Sequence, residues 1–135
     1  MASHAYLLDT SVWIVAFRRN PPESFTARFA VLIASGVSSM NDIIKLEVLL
    51  GVRRDDERVT TEQALSGLEP LPLDDATWSI AADLGSRLRA AGIVASIPDL
   101  VIAANAMSHD ATLVHRDSDF ELIASYSTLR TESLL

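Results

Sequence analysis

The chain alternates between short unbroken apolar runs and longer stretches whose apolar positions recur every three or four residues. Tyr6-Leu7-Leu8 is the first short run, and its lack of polar alternation predicts a strand covered on both faces. A helix over residues 12–17 follows, with Thr10 or Ser11 as its cap. Residues 18–22 read as a turn, Pro22 opens a helix to about Ala34, and Gly36 stops it. Residues 37–40 form a short second strand. Asn41 then caps a helix from Asp42 to about Arg54, followed by a polar helix over 57–66. Residues 68–73 hold two prolines, which confines any strand there to a sheet edge. Asp74 caps the longest helix, 75–91, which ends at Gly92. The stretch 98–108 is apolar almost all round and predicts a buried helix. A strand over 111–115, a short helix over 120–124 and a last strand near 127–130 complete the chain. This order predicts an α/β protein, a parallel sheet between two layers of helices, in a single domain spanning 1–135.

Composition narrows the class. The chain has 135 residues, 49% of them hydrophobic, enough for a real core. No apolar run approaches the ~18 residues of a membrane span. The N-terminus shows no basic region leading into an apolar one, so the expectation is a cytoplasmic protein with no secretory signal. With no cysteine, thiolate metal sites and disulfides are excluded. His4, His109 and His115 do not have the spacing of a histidine metal site. A net charge of −7 argues against nucleic-acid binding by bulk electrostatics. It leaves a nuclease open, because acids clustered around a cation contribute to that total. Ten of the eleven basic residues are arginine, a bias toward bidentate phosphate contacts that high-GC coding also produces.

Four acids stand where a carboxylate needs explaining. Asp9 follows the first strand directly, where open α/β sheets place ligands, although a turn aspartate would look the same. Glu47 shares its helix face with Ile43, Ile44 and Leu50, so it is either compensated inside an apolar stripe or reaches water from its margin. Asp99 opens the apolar helix, and Ser96-Ile97-Pro98-Asp99 also fits a capping box. Asp117, with Asp119, follows the strand ending at His115. Converging acids repel one another, and a hard divalent cation with oxygen ligands, Mg²⁺ or Mn²⁺, resolves that repulsion. Such a site suits phosphodiester hydrolysis.

Asp9-Thr10-Ser11 after an apolar strand, Glu47 four residues before Gly51, Asp99 opening Leu100-Val101-Ile102-Ala103-Ala104, and Asp117-Ser118-Asp119-Phe120 together resemble the PIN-domain ribonucleases. They resemble in particular the VapC toxins of bacterial type II toxin–antitoxin modules. The likeness runs over essentially the whole chain in order and spacing. It implies a three-layer α/β/α fold with a central, mostly parallel five-stranded sheet. It implies Asp9, Glu47, Asp99 and Asp117 as the catalytic, metal-holding quartet, with Asp9 and Asp99 the principal ligands. Asp119 and Ser11 would support the site, beside His115 and Arg116. It further implies RNA as substrate, Mg²⁺ or Mn²⁺ as cofactor, a homodimer, and silencing by a small antitoxin with a basic segment. Exposed Arg18, Arg19 and Arg116 near the pocket fit that expectation. Two positions depart from the pattern: His115 replaces the usual Ser or Thr, and Asn41 replaces a hydroxyl cap.

Other acidic pockets on parallel sheets fit less well. A phosphoacceptor receiver domain wants paired acids after the first strand and a late lysine, whereas Leu8 and Thr10 flank Asp9 and Lys45 lies early. A haloacid-dehalogenase-type phosphatase wants an aspartate at position 11, which is Ser11. The non-enzymatic alternative is an interaction module whose acidic pocket receives a partner's arginines.

Overall fold

The computed structural model describes residues 4–135. Its centre is β1 (Tyr6–Leu8), whose Leu7 and Leu8 are completely buried, as an unbroken apolar run demands. Around it lie β2 (Ser38–Met40), β3 (Glu69–Pro70), β4 (Thr112–His115) and β5 (Arg130–Ser133). The sheet order is β3-β2-β1-β4-β5, and every neighbouring pair is parallel. Leu7 is level with Ser39 on one side and Leu113 on the other. That register brings the carboxyl ends of β1 and β4 side by side. The prolines do confine β3 to an edge, where a missing N–H costs no ladder bond.

Among the described residues seven helices accompany the strands: α1 (Thr10–Ala16), α2 (Glu23–Ala34), α3 (Asp42–Leu50), α4 (Asp55–Ser66), α5 (Asp75–Ala90), α6 (Ile97–Ser108) and α7 (Ser118–Ser125). The arrangement is the expected α/β/α one. Helix α6 is buried from Val101 through Ala106, as its all-round apolar sequence requires. It packs closely on α5: a Cβ at Gly85 would lie 3.2 Å from Leu100 Cδ1. Helix α5 ends at Gly92, whose φ of 79° allows the Ile93 N–H to reach back to the Leu88 carbonyl.

Several boundaries differ from the sequence expectation, among them the start of α4 at Asp55 rather than 57. Helix α1 begins at Thr10 because Asp9, not Thr10 or Ser11, is its cap. Helix α3 stops at Leu50 rather than near Arg54, because the chain turns at Gly51 and Val52 bonds back to Leu49. Asp117 caps α7, so that helix starts two residues earlier than the apolar pattern alone indicates. The last strand begins at Arg130, not Ser127. The Ser127 hydroxyl donates to the Ile123 carbonyl and accepts from the Leu129 N–H, holding 127–129 in a turn.

One buried polar network ties three helices to the edge of the sheet. Asn41 caps α3 through its side-chain oxygen, as its position suggested, and donates to Asn105 Oδ1 at 2.9 Å. The Asn105 amide nitrogen donates to the Pro72 carbonyl at 3.0 Å, just before α5. Asn105 is fully buried. Asn105→Ala would therefore strand the buried Asn41 amide, whereas the exposed Pro72 carbonyl keeps its bond from His109 Nε2. The expected loss is at least about 2 kcal/mol in urea unfolding, and a change within experimental error would show that the network stabilises nothing.

Candidate functional site

Asp9 extends β1 by one ladder bond, from its N–H to the Val114 carbonyl at 2.9 Å. The chain then enters α1, and the Asp9 carboxylate turns back to cap it, accepting from the Ser11 N–H at 3.0 Å. The Ser11 hydroxyl donates to the same oxygen at 2.6 Å. It also accepts from the Arg116 N–H at 2.9 Å. Ser11 therefore links the acid at the end of β1 to the segment that follows β4.

Glu47 lies one helix away, on α3, and is half-buried rather than sunk in the core. The Thr10 hydroxyl donates to its Oε1 at 2.7 Å, which leaves Oε2 free. Asp99 sits in the first turn of α6, and Ser96 caps that helix through its hydroxyl at 3.3 Å. The capping reading of this stretch is thus physically present, and it does not compete with a role for the Asp99 carboxylate. Asp117 caps α7, its Oδ1 accepting from the Asp119 N–H at 3.0 Å.

Asp99, Asp117 and Asp119 each bring one carboxylate oxygen to within 4.8 Å of the other two. Asp9 and Glu47 fall outside this tightest group, yet their charges still reach Asp99. An octahedral Mg²⁺ holds oxygens at about 2.1 Å, so opposite ligands stand about 4 Å apart. The donor set is oxygen only, which suits a hard divalent cation.

The electrostatics carry the mark of this crowding. Burial pushes the Asp9 carboxyl up from its ordinary value. Burial, and then the charges of Asp9, Asp117 and Glu47, push Asp99 up to about 6. Without a cation, each of the two is harder to ionise than a free carboxyl.

The remaining candidates take distinct places. Asp119 is exposed but belongs to the tightest acid group. Arg116 is not a free exposed cation, because its side chain donates to the Leu134 carbonyl at 3.0 Å and lies over the Phe25 ring. Arg18 and Arg19 are exposed at the end of α1. His115 is fully buried and bonds to Glu121 at 2.7 Å. Neither Thr10 as a partner of Glu47 nor Glu121 as a partner of His115 stands out in the sequence. Both pairings are made by the tertiary fold, and no local spacing announces them.

A cleft of acids at the carboxyl end of a parallel sheet in this strand order defines a recognisable class. The PIN domain family model matches residues 6–126, and the chain belongs to that family. Within it, the chain belongs with the VapC ribonucleases. It is 36% identical over 130 residues to ribonuclease VapC11 of Mycobacterium tuberculosis, covering 94% of this chain and 97% of that one. It is 34% identical to VapC21 of the same species over 123 residues, covering 89% and 86%. Among solved structures, VapBC2 from Rickettsia felis bound to a promoter DNA fragment superposes with a TM-score of 0.82. That match covers 97% of this chain and 99% of the other, at 21% identity, and speaks for the fold alone.

The acid pocket makes stability depend on pH in a definite direction. An unfolded aspartate titrates near 3.8, whereas Asp99 in the fold titrates near 6. Between those values the folded chain binds more protons than the unfolded one, so stability falls as pH rises through the window. The penalty is complete above the upper value, and Asp9 adds to it in the same direction. In EDTA, Asp99→Asn should raise the Tm by a few degrees at ~pH 7.5 and change it little at ~pH 4.5. A lower Tm at both pH values would make Asp99 a helix-stabilising acid instead.

Proposed function

We propose that this chain is a Mg²⁺- or Mn²⁺-dependent endoribonuclease that hydrolyses RNA phosphodiester bonds as the toxin of a toxin–antitoxin pair. The observation that carries the reading is the convergence of Asp99, Asp117 and Asp119 oxygens within 4.8 Å. Burial, and after it the charges of Asp9, Asp117 and Glu47, push Asp99 up. Membership with the VapC ribonucleases supports the same conclusion.

Asp9, Glu47, Asp99 and Asp117 hold the cation in this proposal, with Asp119 in support. The chemistry such a cation supplies is polarisation of a phosphoryl oxygen, a lowered pKa for the attacking water, and charge relief for the departing oxygen. The protein's own contribution is orientation. Ser11 fixes one oxygen of Asp9, and Thr10 fixes one oxygen of Glu47. Asp117 commits Oδ1 to the α7 cap and keeps Oδ2 for the site. Each of these three acids therefore presents one committed and one available oxygen, which limits the reorganisation needed on binding. A chain of net charge −7 repels RNA at long range, so the cation also gives the phosphate a local attraction.

The partner in this reading is a small antitoxin, by analogy with the VapBC2 complex. A basic segment entering the acid pocket would satisfy the same carboxylates through charge-assisted hydrogen bonds and exclude the cation. The protein acts in the cytoplasm, with its RNA, as a homodimer. Trp78, Val94 and Ile97 leave apolar surface along α5 and the start of α6, which fits a dimer contact.

Asp9→Asn and Asp99→Asn retain shape and remove one charge from the site. Each should slow cleavage of tRNA or rRNA by at least ~10²-fold, and EDTA should abolish it in the wild type. Full activity in both folded variants would leave the non-catalytic, partner-binding reading of the pocket. Mn²⁺ at ten times its Kd should stabilise the wild type by about 1.4 kcal/mol. Addition of the co-encoded basic-tailed protein should silence cleavage, and unchanged cleavage in that complex would remove the antitoxin from the proposal.

A further inference from the structure

His115 is the last residue of β4 and is 0% exposed. Both of its ring nitrogens are engaged. Nδ1 accepts from the Asp117 N–H at 3.1 Å. Because a backbone amide can only donate, Nδ1 carries no proton and the ring hydrogen sits on Nε2. That Nε2–H points at Glu121 Oε1, 2.7 Å away on α7. The Thr131 hydroxyl of β5 donates to the same Glu121 oxygen at 2.8 Å. These two bonds, His115 first, hold the Glu121 carboxyl below its ordinary value. The ring also lies 5.5 Å from the Phe120 ring, which closes the pocket around it.

A buried histidine is often no more than a satisfied core residue. This one binds the backbone of the residue whose carboxylate enters the acid cluster. Asp117 stands between the end of β4 and the start of α7, with extended backbone angles of φ −137° and ψ 114°. Its carboxylate is held at Oδ1 by the Asp119 N–H, and its amide is held by His115. With both anchors in place, Oδ2 has little choice of direction. A serine or threonine at position 115 could accept from the amide but would be too short to reach Glu121.

We propose that His115 is a positioning residue that orients Asp117 for the cation, with Glu121 and Thr131 fixing its tautomer and ring plane from behind. This rests on the reading of Asp117 as a cation-holding residue, and it assigns the affinity of that site to groups outside it. Partners of this kind typically change metal affinity by about 10- to 100-fold when removed.

Mn²⁺ binding to the full chain, followed by electron paramagnetic resonance titration without RNA, separates the roles of the two ring nitrogens. In His115→Asn, the amide oxygen takes the place of Nδ1 and preserves the acceptor for Asp117. In His115→Gln, the amide nitrogen takes the place of Nε2 and preserves the donor to Glu121, but the acceptor is lost. His115→Asn should bind Mn²⁺ within about threefold of wild type, and His115→Gln should bind at least ~10-fold more weakly. Glu121 is half exposed, so Glu121→Ala removes the rear anchor without opening the core. It should weaken binding about 3- to 10-fold in the wild type and not at all in His115→Asn, whose amide no longer depends on it. Equal losses in the Asn and Gln variants would make His115 a packing residue and overturn the proposal. Wild-type affinity in both His115→Gln and Glu121→Ala would do the same while leaving the cation site intact. Absence of Mn²⁺ binding by the wild type would overturn the cation site together with the positioning role. If His115→Gln does not fold, the effect of Glu121→Ala in the wild type and in His115→Asn decides the matter alone.

Discussion

The Ser11 hydroxyl donates to the carboxylate of Asp9 and accepts from the backbone of Arg116. With that single group the end of β1 is fastened to the segment after β4, and the geometry of the acids follows. The parallel pairing of β1 with β4 brings the two strand ends together. The hydroxyl, together with the Asp9 N–H bond to the Val114 carbonyl, then limits how far Asp9 and the 115–117 segment can drift. Burial raises the cost of keeping Asp9 ionised. A short hydrogen bond from a hydroxyl stabilises the ionised form and holds its direction. The remaining acids are delivered by helices rather than strands. Their positions depend on the placement of α3 and α6, which the Asn41–Asn105 bond ties together.

Much of this was legible in the chain itself because the physics was local. An unbroken apolar triplet had to be a covered strand, two prolines had to lie at an edge, and Gly92 had to end a helix. Four acids in register with those elements pointed to one end of the sheet. The boundaries that moved did so mostly through side-chain caps. A carboxylate can close a helix on itself or await a ligand, and apolar periodicity does not distinguish the two uses. Asp9 and Asp117 turn out to cap with the same side chains that face the site.

What could not be read was the set of long-range pairings. Thr10 meets Glu47 across 37 residues, and Arg116 is claimed by the Leu134 carbonyl. Nothing in the sequence around Arg116 marks it as anything but a free cation beside an acidic pocket. An arginine that looks loose along the chain is not loose where a distant segment folds back to use it. The proximity of Asp119 to Asp99 and Asp117 likewise depends on the first turn of α7, a geometry that exists only once Asp117 has capped it.

Asp9, Asp99 and Asp117 also share an orientation. Asp9 precedes α1, Asp99 lies in the first turn of α6, and Asp117 precedes α7. Three helices thus begin beside these acids, and the N-terminus of each carries the equivalent of roughly half an elementary positive charge. The acids' mutual repulsion is offset in part by the main chain, before any ion or partner arrives. This background field is a property of where helices begin, and it persists when a carboxylate is replaced by an amide. Conversely, unwinding the first turn of one of these helices would alter the potential at all three acids while leaving every one of them in the sequence.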